Sequence, residues 1–169
     1  MFSPSERVLL DRVSAVLELL PAALDARLTA VTGLNAFANG VLAALVSAER
    51  HTLRMTVLAS QTNATLPRLS RVVSRLEERG LVVRQQCPAD ARATNAVLTT
   101  AGAEHVATSQ DAIDAVLRDL VVDCVEPSLA EPLAQALGQL LRRIDRDGRF
   151  AVTACRSIAA TEPAAATAR

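Results

Sequence analysis

Apolar residues fall at Leu9, Leu10, Val13, Val16, Leu17, Leu20, Leu24 and Leu28, three or four positions apart, so residues 6–31 predict a long helix with one broad buried stripe. Pro21 predicts a bend or a split within it, because proline lacks the N–H that bonds back one turn. Gly33 supplies a stop, and Phe37, Val41, Leu42, Leu45 and Val46 restart the helical spacing over residues 34–48. A short connection occupies residues 49–54. Two brief helical patterns follow, residues 56–61 and 66–79, parted by the polar turn Thr62, Asn63, Ala64, Thr65. The Thr65 hydroxyl is placed to cap the second of these, Pro67 is tolerated in a first turn whose amides lack an intrahelical acceptor, and Gly80 ends it. Leu69, Val72, Val73 and Leu76 form that helix's apolar face, and Arg68, Arg71 and Arg75 recur on the opposite side.

Beyond Gly80 the period shortens. Leu81 to Arg84 and Ala96 to Leu98 read as two strands around a polar loop over residues 87–94, a hairpin wing. Thr99 or Thr100 caps a further helix reaching about Cys124, roughly 36 Å long at 1.5 Å per residue. It is too long to be covered by the lobe beside it, so part of it projects. Pro127 breaks the chain, and Pro132 suits the first position of a last helix that carries Leu133, Leu137, Leu140, Leu141 and Ile144 and ends near Gly148. The Ala- and Thr-rich tail has nothing to bury and reads as mobile. These elements predict a mainly α fold: a winged helix-turn-helix lobe with a two-stranded β wing, plus a helical lobe built from N- and C-terminal helices.

Composition narrows the class. The 169 residues are half hydrophobic and a fifth charged, enough for a buried core without staples. No apolar run reaches the roughly 20 residues of a membrane span, and the first residues lack the series of a secretory signal, so the expected location is the cytoplasm, away from membranes. Cys87, Cys124 and Cys155 are widely spaced and odd in number, which predicts reduced thiols rather than a disulfide framework or a zinc cluster. Only three phenylalanines are present, which leaves little surface for stacking unpaired bases. Net charge is zero but sorted: residues 54–95 hold seven Arg against three acids, or +4, whereas residues 96–131 hold one Arg against seven acids, or −6. One basic segment beside an acidic one suits a face that meets phosphate.

The chemistry follows from the arginine-lined helix. An α-helix fits the major groove of duplex DNA, and guanidinium forks match the O6 and N7 acceptors of guanine, each such contact worth roughly 1–3 kcal/mol of discrimination. From the hairpin tip Arg92 can enter the adjacent minor groove, with Asp90 orienting its guanidinium. Catalysis has no foothold: there is no Gly-rich phosphate loop and no nucleophile elbow, and Glu77 and Glu78 diverge by about 100° on their helix. His51 and His105 lack second ligands at helical spacing and read as cap or surface residues, so no metal or cofactor is implied. Cys124 reads as a buried inert thiol. Two other classes share part of the pattern. A thiol-based redox regulator would change its DNA affinity on mild oxidation through Cys87 or Cys124; a helical adaptor that uses the fold to bind protein would retain no duplex.

Thr62 to Val82, read TNATLPRLSRVVSRLEERGLV, together with Asp90-Ala91-Arg92 and Val97-Leu98-Thr99 followed by Gly102, resembles the MarR family of winged helix-turn-helix transcriptional regulators over residues 6–144. The resemblance implies base and phosphate contacts from Thr65, Pro67, Arg68, Arg71 and Arg75, and a minor-groove role for Arg92. It also implies a homodimer on double-stranded DNA, a repressor of a pseudo-palindromic operator, with a small aromatic or phenolic effector entering the cleft between lobes. On that plan residues 1–33 and 100–150 dimerise, residues 34–99 read DNA, and residues 151–169 form the tail. The chain departs from the family pattern at Ala38 and Asn39, where an acidic and aromatic pair is common, and at Ala91 and Ala93, which leave the wing tip to Arg92 alone.

Overall fold

The computed structural model describes residues 1–87 and 90–145, with side chains at residues 1–87 and 93–145. Helix α1 spans Pro4–Thr32 and begins two residues before the hydrophobic period, because Ser3 and Glu6 form a reciprocal capping box: Ser3 Oγ accepts from the Glu6 N–H, and the Ser3 N–H donates to Glu6 Oε2 at 2.7 Å. The helix runs unbroken through Pro21, so the expected split does not occur. Proline forfeits one backbone bond, here to the Leu17 carbonyl on an exposed residue where water can replace it, and long helical flanks on both sides hold the conformation. Gly33, at φ +71°, closes α1 by donating to the Thr29 carbonyl at 2.9 Å.

Helix α2 (Ala36–Val46) is capped by Asn35 and leads through a 3₁₀ turn at Glu49–His51 into β1 (Thr52–Arg54). Helix α3 (Met55–Gln61) and helix α4 (Leu66–Glu78) form the helix-turn-helix, with Asn63 at φ +48° in the turn, a conformation asparagine tolerates. Strands β2 (Val82–Cys87) and β3 (Asp90–Leu98) follow. The sheet is antiparallel in the order β1-β3-β2, so the two-stranded wing expected from the pattern gains a third strand, in register Thr52↔Val97 and Arg54↔Asn95. The loop expected over residues 87–94 is also corrected: Cys87 belongs to β2 and residues 90–94 to β3, with an irregularity after Gln86↔Thr94 before Cys87↔Asp90.

Helix α5 (Thr100–Leu117) continues into a π-helical turn at Arg118–Val122, and α6 spans Pro127–Ile144. Pro127 therefore opens α6 rather than breaking the chain before it, and Pro132 sits inside the helix rather than at its start. The first-turn tolerance for proline is used by Pro127, while Pro132 gives up a single bond to the carbonyl of exposed Ser128. The expected end near Gly148 and the tail lie outside the described residues.

One core holds the middle of the chain together. Val41, Leu42 and Leu45 of α2, Leu58 of α3, Leu69, Val73 and Leu76 of α4 and Val82 of β2 are fully buried against one another. Burial of each such side chain contributes about 1.5–3 kcal/mol. The outer helices differ sharply: α6 has no buried residue, and α1 buries only Leu28 and Thr32. Leu9, Leu10, Val16 and Leu17, expected on a buried stripe, are exposed in the single chain, as are Leu133, Leu137, Leu140 and Leu141. Among the described residues no single helix is long and apolar enough to cross a membrane.

Candidate nucleic-acid interface

Helix α4 is defined at both ends by its own sequence. Thr65 is the N-cap, its hydroxyl accepting from the Arg68 N–H at 3.4 Å, and Pro67 occupies the first turn. At the other end the Gly80 N–H donates to the Glu77 carbonyl and the Leu81 N–H to the Leu76 carbonyl, at 2.8 and 2.9 Å. This is a Schellman closure, which requires the positive φ of Gly80 and brings Leu81 onto Leu76. Between the caps, Leu69, Val73 and Leu76 face the core while Arg68, Arg71 and Arg75 are exposed, so the structure puts the three arginines on one outward face as their spacing predicts. Thr65 and Pro67 are exposed at the start of the same face.

Two of those arginines are held. The Arg68 guanidinium lies over the ring of half-buried Phe37 at 4.3 Å, which fixes its height above α4, and Arg71 Nε donates to the Pro67 carbonyl at 3.4 Å. The side chains of Asp90 and Arg92 lie outside the described residues, although both positions belong to β3.

Two further arginines of the basic segment are tied back onto the chain, Arg79 at the surface and Arg84 partly buried. Arg79 Nη1 donates to the Gly33 carbonyl at 2.7 Å, tying the end of α4 to the junction of α1 and α2. Arg84 of β2 pairs with Glu77 and reaches Ser70 and Ser74 along α4. Sequence reasoning counted both as part of a phosphate-facing charge and missed their roles. The spacing of Ser70, Ser74 and Glu77 by four and three was the available signal.

The wing is coupled to α5 at one corner. Thr99 donates through its N–H to the Leu81 carbonyl at 3.1 Å and through its hydroxyl to the Gly80 carbonyl at 2.7 Å, and that hydroxyl also accepts from the Gly102 N–H at 3.0 Å. His105, expected as a cap or surface residue, instead has a buried Nε2 without a hydrogen-bond partner. Its burial, aided by the Arg79 charge, lowers its pKa below the ordinary histidine value. His51 behaves as a cap, its Nδ1 lying 3.1 Å from the Val46 carbonyl at the end of α2. At the α1–α2 corner Ala38 is buried in the core, and Asn39 Nδ2 donates to Thr32 Oγ1 and to the Leu34 and Asn35 carbonyls. Cys87 is half-buried beside Arg54, with Sγ 3.8 Å from the guanidinium, whereas Cys124, expected to be buried, is exposed at the end of the π turn and donates to the Val121 carbonyl.

A capped helix-turn-helix with an outward arginine row, flanked by a three-stranded wing, is the winged helix-turn-helix class of DNA-binding fold. The family model of the MarR family matches residues 33–93. A MarR family transcriptional regulator from Streptomyces coelicolor, solved in complex with DNA, is 30% identical at a TM-score of 0.78, covering 87% of this chain and 89% of its own. AbsC, a MarR family transcriptional regulator from the same organism, is 28% identical at a TM-score of 0.76, covering 86% and 97%. A MarR mutant from E. coli complexed with operator DNA shares the fold at 22% identity and a TM-score of 0.68, covering 83% and 99%. Comparison with curated protein sequences returns no match. The chain belongs to the MarR family, whose members are transcriptional regulators and not enzymes.

Proposed function

We propose that the protein is a homodimeric repressor that binds a pseudo-palindromic duplex in the cytoplasm and is released by a small aromatic or phenolic ligand. The observation that carries the DNA reading is the exposed row Arg68, Arg71 and Arg75 on a helix whose other face is fully buried. Thr65 and Pro67 place the helix start against phosphate, and Arg92, oriented by Asp90, enters the minor groove beside it. Support also comes from the S. coelicolor relative solved in complex with DNA.

The dimer reading rests on apolar surface left exposed among the described residues. Leu133, Leu137, Leu140, Leu141 and Ile144 of α6 are each between 43% and 76% exposed, and Leu9, Leu10, Val16 and Leu17 of α1 between 45% and 70%. Contiguous patches of that kind mark an interface. A twofold mate covers both helices and sets two copies of α4 about one helical turn of DNA apart. On this plan residues 1–33 and 100–150 dimerise and residues 34–99 read DNA. Release requires only that the ligand prefer a lobe spacing that no longer matches successive grooves.

Light scattering on the purified chain is expected to give twice its 17.9 kDa mass. Fragments selected from the source genome are expected to carry inverted half-sites. Leu137→Asp with Leu140→Asp is expected to yield monomers that lose operator binding. A wild-type monomer at micromolar concentration, or selected fragments without twofold symmetry, would remove the reading.

The contact between Phe37 and Arg68 gives a finer test. Phe37→Leu keeps most of the apolar volume but removes the π face, so operator affinity is expected to fall by about 0.5–1 kcal/mol, a few-fold, with little change in melting. Unchanged affinity in fluorescence anisotropy would mean that Arg68 does not act from the position it holds over the ring.

A further inference from the structure

We infer that Arg84 is a positioning residue: it locks the recognition helix to the wing, and this lock, rather than any contact of its own with DNA, sustains discrimination between sequences. The inference rests on the DNA-reading assignment of α4 above and adds a residue outside the proposed contact set.

The geometry is a bracket. Arg84 Nη2 donates to the Ser70 carbonyl at 2.7 Å and to Ser74 Oγ at 3.1 Å, Nη1 donates to Ser74 Oγ at 3.1 Å and pairs with Glu77, and the Arg84 backbone N–H donates to Glu77 Oε1 at 2.8 Å. One side chain of β2 therefore grips three successive turns of α4. Both charged partners are more than two-thirds covered, at 28% and 29% side-chain exposure, so they are not a solvated surface pair. The charge is also spent: a guanidinium neutralised by Glu77 and turned toward α4 adds little attraction for phosphate.

Local sequence agrees with that role. Serine in a helix interior is a poorer helix former than alanine, yet α4 places serine at both positions facing Arg84. Their short side chains let the planar fork reach a mid-helix carbonyl, which a larger residue would block. Apolar packing does not fix the helix on this side, because an open cleft of about 410 Å³ separates α4 from β3, lined by Leu66, Ser70, Arg84 and Thr94 among others. The bracket spans its edge. Because β2 continues into the hairpin with β3, fixing Arg84 fixes the angle between the helix that enters the major groove and the wing beside it. Hydrogen bonds to base edges need that angle; attraction to phosphates does not.

The test uses the full-length protein with Arg84→Met, which keeps the long apolar stem, and Glu77→Gln, which keeps the side-chain volume and removes the charge. Affinity is measured for the selected operator and for a scrambled duplex of equal length, across a salt series, well below each variant's melting temperature. The expected result is a fall of roughly tenfold or more in the operator-to-scrambled ratio for both variants, with scrambled affinity and salt slope unchanged. If Arg84 instead contacts phosphate, Arg84→Met weakens both duplexes together and flattens the slope by about 0.9, which overturns the proposal. An unchanged ratio with only a lowered melting temperature overturns it as well. Hydrogen exchange supplies a readout that needs no DNA: Arg84→Met is expected to lose protection in both α4 and β2, and full protection there sinks the lock even if the wild type prefers no sequence. Wild type without operator preference, by contrast, sinks the DNA-reading assignment itself.

Discussion

Gly102→Ala is expected to lower the melting temperature by roughly 6–12 °C, the equivalent of about 3 kcal/mol in a domain of this size. A Cβ built at Gly102 collides with the Leu81 carbonyl oxygen and comes within 2.7 Å of Leu98 Cδ1. The first obstacle is backbone, so the strain cannot be relieved by a rotamer change. It can be relieved only by moving the first turn of α5 away from the Gly80–Leu81 corner, which breaks the bonds that Thr99 makes to the Leu81 and Gly80 carbonyls. Alanine gains about 1 kcal/mol of helix propensity over glycine, but overpacking against a carbonyl outweighs it. Gly40, exposed within α2 with nothing within 4 Å of its Cβ position, supplies the control: Gly40→Ala is expected to stabilise by about 0.5–1 kcal/mol. Differential scanning fluorimetry decides the matter. A Gly102→Ala protein that melts with or above wild type would show that α5 does not start against this corner.

The same corner explains why a spaced signature of Leu98, Thr99 and Gly102 was readable in the sequence as one unit although its physical reason was not. Thr99 both caps α5 and clips the end of α4, and Gly102 leaves room for the clip. A capping threonine is visible from local spacing; a close approach to a carbonyl 21 residues earlier is not.

Helix α4 was legible on both faces because its period, its N-cap and its glycine stop are all local and all agree. The capping box at Ser3 and Glu6 is equally local, and the hydrophobic period alone placed that helix start too late. Strand β1 was hidden for the opposite reason. Three residues carry no usable alternation, and Thr52–Arg54 is a strand only because β3 offers an edge some 40 residues later. The split at Pro21 does not occur and Pro132 is not a first helical position, because a rule about single residues competes with cooperative helix on both sides. The seven arginines of the basic segment could not be sorted by type: Arg79 and Arg84 differ from Arg71 and Arg75 only in what the folded chain places beside them. The apolar stripe of α1 reads from its period as buried and that of α6 as needing a partner, yet among the described residues most of both stripes stays exposed.

Removing the outward row is expected to have the largest effect on DNA. The variant with Arg68→Ala, Arg71→Ala and Arg75→Ala should lose a hundredfold or more in operator affinity, since each bidentate base contact is worth roughly 1–3 kcal/mol and each tenfold costs about 1.4 kcal/mol. Stability should barely move. The three side chains are exposed, alanine is the better helix former, and surface substitutions of this kind usually stay within about 0.5 kcal/mol each. Loss of binding therefore cannot be assigned to unfolding, and a melting curve run beside the titration shows it. Salt dependence then sorts the three contacts. Each arginine that meets phosphate lowers the slope of log affinity against log salt by about 0.9, whereas one that meets only a base edge leaves the slope alone and relaxes preference at one position of the half-site. Arg71, in the middle of the row, is expected to act on preference and Arg68, stacked on Phe37 at the helix start, on the slope. A triple variant that binds the operator as wild type does would leave the exposed face of α4 as an ordinary solvated surface, and the recognition role would have to pass to another element.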